Sequence, residues 1–533
     1  MKKTFALLLV IALAISALAM PAFAEGNMII TALSDDPQEM NPTLNTYSRS
    51  SQVLQNLFKG LYKLDENGTV DEDGATYIPA MAESVEISED QLTYTFTLRE
   101  GLKWSDGSDL TAYDFEYSWL NVLDPDVASK AKSDLWIVKN GKKYFDRECT
   151  REEVGVKATD ARTFVVELEN ITPWFLRLTS TTSFLPICKA NAEANPDWVT
   201  SVDTYVCNGP YMLKEYSSLD KIVLVKNPNY YLADEVKLDG IQYSIIPESA
   251  TELEAYKKGE LNVSINLDQQ GLADYANSDE LNILPRVGIQ YCDFNTKLPE
   301  FSDKKVRQAF AMAINRAVLL QAMGVIEKPV YGFVPYAQPS LSDSTKSYRD
   351  IAGDMFTEDV EAAKALMAEA GYPNGEGFPK VTIKVDSGNQ KKILAQVLGD
   401  MWKQNLGIDY EIEMCESGYW GELDEGKFSV DRNGYTCDYD DPSANLKIWI
   451  TGSNAYENGW DDPVYDEMFN KTLEITDPAE REAALIECEK YLVDQMPGMP
   501  VYSMETQFLV KPGVKGIIAN PIGHVNFEYA YIE

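Results

Sequence analysis

The chain has 533 residues and carries 47 Lys and Arg against 84 Asp and Glu, a formal net charge of −37. A nucleic-acid or anionic-membrane partner needs a basic patch that releases counterions, and no run of Lys or Arg supplies one. With 45% hydrophobic and 25% charged residues the composition is that of a folded protein, and most of the acidity reads as solvated surface.

In chain order, Lys2 and Lys3 precede an apolar run from Phe5 to Ala19, followed by Met20-Pro21-Ala22-Phe23-Ala24-Glu25. Small side chains at Ala22 and Ala24 fit a signal peptidase, and Pro21 ends the apolar helix, so residues 1–24 read as a signal peptide cleaved after Ala24. An uncleaved anchor is the alternative. The first cysteine is Cys149, so no lipid-attachment Cys follows the apolar run, and the protein is expected to be exported, periplasmic or extracellular. Asp65 to Gly74 is acidic but has Val70 where a calcium loop needs glycine and Thr76 where it needs Glu, which favours a solvated turn.

Leu92, Tyr94, Phe96 and Leu98 alternate with polar residues, predicting a strand with one buried face. Thr111 with Asp114 predicts a capped helix carrying Phe115, Trp119 and Val122 on one side until Asp124-Pro125. Ile222 to Val225 predicts a strand, and Leu261, Val263, Ile265 and Leu267 predict another by their period of two. Ser302 is expected to cap a helix with the stripe Val306, Phe310, Ala313, Ala317 and Leu320. Helices are expected over 357–370, stopped by Gly371, and 391–406, stopped by Gly407. Strands are expected over 381–385 and 408–412, and Asp477-Pro478-Ala479-Glu480 opens a last helix with Leu485, Cys488 and Leu492 on one face. The mixture predicts an α/β protein of roughly three lobes, at about 150 residues per domain.

Seven cysteines are too few to carry the fold; spacing alone allows Cys188 with Cys207 and Cys415 with Cys437, leaving an odd thiol. No CxxC or Cys/His cluster occurs, so no metal and no cofactor is expected. Histidine occurs once, at His524. With no GxSxG, HExxH or GxxxxGK[ST], the serine hydrolase, zinc protease and P-loop readings fall. Glycosidase chemistry, which needs only two carboxylates, stays open. An exported multi-lobed protein without catalytic signatures more naturally captures a ligand between lobes, and 30 Tyr and 9 Trp can line a cleft.

Several segments together resemble one family, the extracytoplasmic solute-binding proteins, family 5, of peptide ABC importers. The strongest block is Tyr94-Thr95-Phe96-Thr97-Leu98-Arg99-Glu100-Gly101-Leu102-Lys103-Trp104-Ser105-Asp106-Gly107, followed by Thr111-Ala112 and Asp114-Phe115. Asn41-Pro42, Asn208-Gly209-Pro210-Tyr211, Val306-Arg307-Gln308-Ala309, Asp438-Tyr439-Asp440-Asp441-Pro442 and Asp462-Pro463-Val464-Tyr465-Asp466 follow the family's order. The resemblance implies a two-lobed periplasmic-binding-protein-like fold of type II, the large peptide-binder class, with an extra third domain. Lobe I would comprise 25–50, 187–288 and 505–533, the extra domain 51–186, and lobe II 289–504.

It also implies site residues. Asp438 occupies the place of the acid that pairs with a peptide's α-ammonium, and a buried carboxylate there selects for that cation. Gly434, Tyr435 and Thr436 match the segment whose main chain pairs with an extended ligand, with Tyr435 standing where tryptophan is commoner. Asp36 matches an acidic position of the first loop, and Arg432 a basic one. Two positions depart: a carboxylate-binding arginine falls at Leu423 and a pocket tryptophan at Glu416, leaving open how the other ligand end is met. The implied activity is capture of an oligo- or dipeptide by a monomer, with no catalytic residues, for delivery to ABC transporter permease subunits. The alternatives are a non-peptide solute (a sugar, a nickel chelate or a cationic amine) and an exported carboxylate-dependent hydrolase.

Overall fold

The computed structural model describes residues 27–65, 77–127, 129–343, 345–415, 418–437, 439–452 and 458–533. The signal segment 1–24, nearly all of the acidic 65–74 stretch, Glu416 and Asp438 lie outside them.

The first part of the chain runs β1 (Met28–Leu33), α1 (Ser48–Leu57), β2 (Ala82–Ile87), β3 (Thr93–Leu98), α2 (Ala112–Val122), β4 (Val156–Ala158), β5 (Thr163–Glu167), β6 (Tyr211–Ser217), β7 (Lys221–Lys226) and β8 (Gly240–Ile245). Two four-stranded sheets result, β1-β8-β7-β6 and β2-β3-β5-β4. β1 pairs parallel to β8, and the other pairs are antiparallel. The alternation read at β3 holds, with Tyr94, Phe96 and Leu98 buried. Thr111 and Asp114 form the capping box of α2, and the buried Trp119 donates through Nε1 to Phe184 O at 2.8 Å.

The second part runs β9 (Val263–Ser264), β10 (Leu281–Asp293), α3 (Lys304–Met312), α4 (Arg316–Met323), α5 (Val360–Glu369), β11 (Val381–Asp386), α6 (Asn389–Leu406), β12 (Tyr410–Cys415), β13 (Val430–Asp431), β14 (Asn433–Thr436), α7 (Pro463–Glu474), α8 (Pro478–Gln495) and β15 (Gly498–Val510). β12-β11-β13 is a parallel sheet. β9-β15-β10-β14 is antiparallel.

Several predicted boundaries move, each for a local reason. The strand expected over 261–267 shrinks to β9, because the Glu252 carboxylate takes the N–H groups of Ile265 (2.8 Å) and Asn266 (3.1 Å). Asp303, not Ser302, caps α3, accepting from Lys305 N at 2.9 Å. Its stripe divides between two helices, since Asn315 caps α4 by accepting from Val318 N. Asp359 caps α5, so that helix starts later than expected. β12 begins at Tyr410 because Ile408 N–H closes the end of α6 on Trp402 O, beyond the left-handed Gly407. No disulfide joins the cysteines among the described residues, so neither spacing-based bridge forms.

Two large apolar cores organise these elements. One takes side chains from Ile29 through Tyr243 and from the tail, including Phe527 and Ala530. The tail is also tied by Glu528, whose buried carboxylate lies 3.0 Å from Lys59 Nζ and against Lys63. The other core runs from Ile289 to Val501. β10 and β15 cross between them: Val287 and Phe508 lie in the first core, Ile289, Tyr291, Met499 and Val501 in the second. Their pairing loses register between Pro285 and Ile289, at the crossing itself. No helix among the described residues is long and apolar enough to cross a membrane.

Candidate functional site

A cavity of about 590 Å³ lies where the two cores face each other, within the size range of small-ligand sites. One wall is the loop before α1 and the start of that helix, with Asn45, Ser48 and Gln55. A second presents Trp174 and Leu178. A third comes from the end of β14 and beyond it, with Thr436, Cys437, Tyr439 and Lys447. Arg286 of β10 and His524 of the tail complete the lining.

β14 is the last strand of its sheet, so one of its edges pairs with no other strand among the described residues. Tyr435 stands opposite Ile289 and Thr436 opposite Gly288. Cys437 N donates to Val287 O at 2.9 Å, and antiparallel alternation therefore turns the main-chain groups of Gly434 and Thr436 away from β10. Gly434 N meets the Asn433 side chain at 2.8 Å, while Thr436 lines the cavity. A side chain at Gly434 would run into Gln290 and Met504, which explains the glycine by packing. Half-buried Tyr435 packs on both cores and so marks their junction.

The remaining expected residues lie further out. Asp438 is outside the described residues, but both of its neighbours, Cys437 and Tyr439, line the cavity. Asp36 holds the β6–β7 turn, accepting from Leu219 N at 2.9 Å and from Ser218 Oγ, and is not among the lining residues. Arg432 donates to Gln290 Oε1 and its Nη1 sits 3.8 Å from Asp386, also off the cavity. Leu423 is buried with Tyr419 and Phe428 in a small apolar cluster.

Residues that sequence reasoning missed close the cavity on one side. The Trp174 ring stacks on Tyr439 with centroids 5.2 Å apart and planes 5° apart. The Arg481 guanidinium lies 4.7 Å from the Trp174 ring and forks the Asp441 carboxylate at 2.8 and 2.9 Å. Burial raises the Asp441 carboxyl, but Arg481 and Ser443 outweigh it and hold the group below its usual range. Arg177 Nη1 donates to Asp440 O at 2.7 Å and lies 3.2 Å from its Oδ1. There burial wins over Arg177, and the Asp440 carboxyl is pushed up. Six side chains, Trp174, Arg177, Tyr439, Asp440, Asp441 and Arg481, thus bind 174–177 to 439–441. The 438–442 block is legible in the sequence, but nothing local ties it to Trp174, Arg177 or Arg481.

His524 is buried between Gln55, whose Nε2 donates to Nδ1 at 2.9 Å, and Ser48 Oγ, 3.2 Å from Nε2. Burial, Arg286 and Arg49 push its pKa down to about 3, so the imidazole is neutral.

Residues 76–457 match the model of the bacterial extracellular solute-binding proteins, family 5 (middle region). The chain is 30% identical over 514 residues to the oligopeptide-binding protein OppA of Bacillus subtilis, covering 94% of this chain and 92% of that one. The fold matches a periplasmic oligopeptide-binding protein of Borrelia burgdorferi with a TM-score of 0.82 at 27% identity, over 95% of this chain and all of the other. It matches Haemophilus influenzae OppA in complex with the peptide RPPGFSPFR with a TM-score of 0.78 at 26% identity, over 95% and 99% of the two chains. The two-lobed architecture, the strand edge on an interlobe cavity and the family match converge: the chain belongs to the bacterial extracellular solute-binding proteins, family 5.

Proposed function

We propose that this protein captures peptides between its lobes and delivers them, closed, to the permease of an ABC importer. The observation that carries the reading is the unpaired edge of β14 presented to a cavity lined from both cores. An extended peptide added there gains main-chain hydrogen bonds that ignore its side chains. Relatives whose names and structures specify peptides support the same choice of ligand.

In this proposal lobe I is 25–50, 187–288 and 505–533, the extra domain 51–186 and lobe II 289–504. Asp438 meets the ligand's α-ammonium from lobe II, Gly434 and Thr436 supply main-chain partners, and Tyr435 stacks at the junction. Asp36 and Arg432 brace the segments that flank the site. The protein is an exported monomer freed of its first 24 residues at Ala24, binds without catalysing, and needs no cofactor.

Ligand favours the closed state through simultaneous contacts to both lobes. Only the folded protein binds, so a peptide at about 100 times its Kd raises stability by about 2.7 kcal/mol. A thermal-shift screen of di- to hexapeptides checks this. At least one peptide class is expected to raise the Tm, and a flat response across all lengths would remove the reading.

A further inference from the structure

Arg286, a cation of the cavity, pairs with no acid among the described residues. Arg286 stands where β10 and β15 lose register, and such irregularities re-aim a side chain out of the regular pleat. There Val287 N leaves the ladder to donate to Pro521 O at 2.8 Å. Arg286 lines the 590 Å³ cavity and also a second, more polar one of about 350 Å³ behind it. Its Nε is buried and hydrogen-bonds to nothing among the described residues.

The surroundings deepen the imbalance. Arg49, at the start of α1, is the charge that acts on Arg286, and burial together with Arg49 disfavours the charged guanidinium. His524, on which both guanidiniums act, is neutral. Glu505 lines the second cavity, but its carboxyl is pushed up by burial and Glu327 rather than held down by Arg286. Asp134, the one acid among the described lining residues of the larger cavity, takes the Ser183 hydroxyl. α1 itself has no acid in its first turn and no side-chain cap, and Ser48 and Ser51 bring that end to the same cavity. A partly buried guanidinium with an empty donor, acted on by a second guanidinium across the same cavity wall, favours an anion in that cavity.

We propose that Arg286, with Arg49 adding to the field, receives a carboxylate of the ligand. The inference rests on the peptide reading and deepens it. It gives the ligand's anionic group a partner on the lobe I side of the cavity, in place of the arginine absent at Leu423. The planar fork suits a carboxylate bidentately, as a lysine would not.

Titration calorimetry with three probes tests it: tetra-alanine, its C-terminal amide, and the amide of Ala-Ala-Glu-Ala. Wild type is expected to bind the acid about tenfold or more tighter than the amide, a charge-assisted pair's worth. Recovery by the glutamyl amide would assign the site to side-chain carboxylates as well; no recovery would restrict it to the C-terminus. Arg286→Gln should level acid and amide, Arg286→Lys should keep part of the preference and control for folding, and Arg49→Gln should reduce it less. Equal binding of acid and amide by wild type, or an undiminished preference in Arg286→Gln, overturns this inference alone. Failure of wild type to bind any probe or any member of the di- to hexapeptide set overturns the peptide reading and this inference with it.

Discussion

Asp293 and Asp431 form a buried acidic pair behind β14. Asp293 N donates to Asp431 Oδ1 at 2.9 Å, and Asn433 and Asn458 donate to the Asp293 carboxylate at 2.9 and 3.2 Å. Asp431 Oδ2 is buried without a partner. Burial raises the Asp293 carboxyl, and burial with the Asp293 charge raises Asp431. Carboxyls whose folded pKa is raised bind more protons folded than unfolded. The pair's contribution to stability is therefore greatest below the unfolded value of 3.8 and is lost as pH rises through the folded values. Asp431→Asn keeps the Oδ1 acceptor and removes one charge. Urea denaturation should show the variant gaining on wild type as pH rises from 4 to 8, by about 1.4 kcal/mol or more, the equivalent of one pKa unit. A difference between the two that does not change with pH would show that the pair does not hold a proton.

At the scale of elements, the edge of β14 carries the largest share of the functional reading. Thr436→Pro deletes an N–H that faces away from β10, and edge strands accept proline at such positions. Peptide affinity should fall about tenfold for one lost hydrogen bond, with unfolding free energy changed by no more than about 0.5 kcal/mol. Unchanged affinity in a folded variant would show that the ligand does not use this edge. Elements with a local code were legible in the sequence: the Thr111–Asp114 box, the alternation through Tyr94 and Phe96, and the Gly407 stop all stand. The strand at Leu261 to Leu267 was not, since its partner for Ile265 and Asn266 is the carboxylate of Glu252. Of the site, a contiguous motif marked 434–436 in the sequence, and of these three residues Thr436 lines the cavity. Trp174, Arg286, Lys447 and His524 could not be read there, because only the tertiary fold assembles them around one cavity.

Over the whole molecule, two 13-residue strands, β10 and β15, pass from one core to the other. The stack of Trp174 on Tyr439, the Arg481 guanidinium at the same ring and the Arg177–Asp440 contact tie residues 174–177 to 439–441 beside the cavity. An aromatic pair and a cation–π contact each contribute about 0.5–2 kcal/mol. Trp174→Ala should therefore weaken peptide binding about tenfold or more, and solution scattering of the ligand-saturated variant should report a larger radius of gyration than liganded wild type. Equal affinity and equal radius would mean that the lobes close without this contact.

The central claim is that the interlobe cavity holds a peptide, and the chemistry of what the protein carries tests it most directly. Mass spectrometry of small molecules released on denaturing the freshly purified protein should yield peptides of a few residues with free amino termini. These should be absent from an Asp438→Ala, Thr436→Pro double variant handled identically. Release of a sugar, a metal chelate or a non-peptide amine, with no peptide above the level of that variant, would contradict the account.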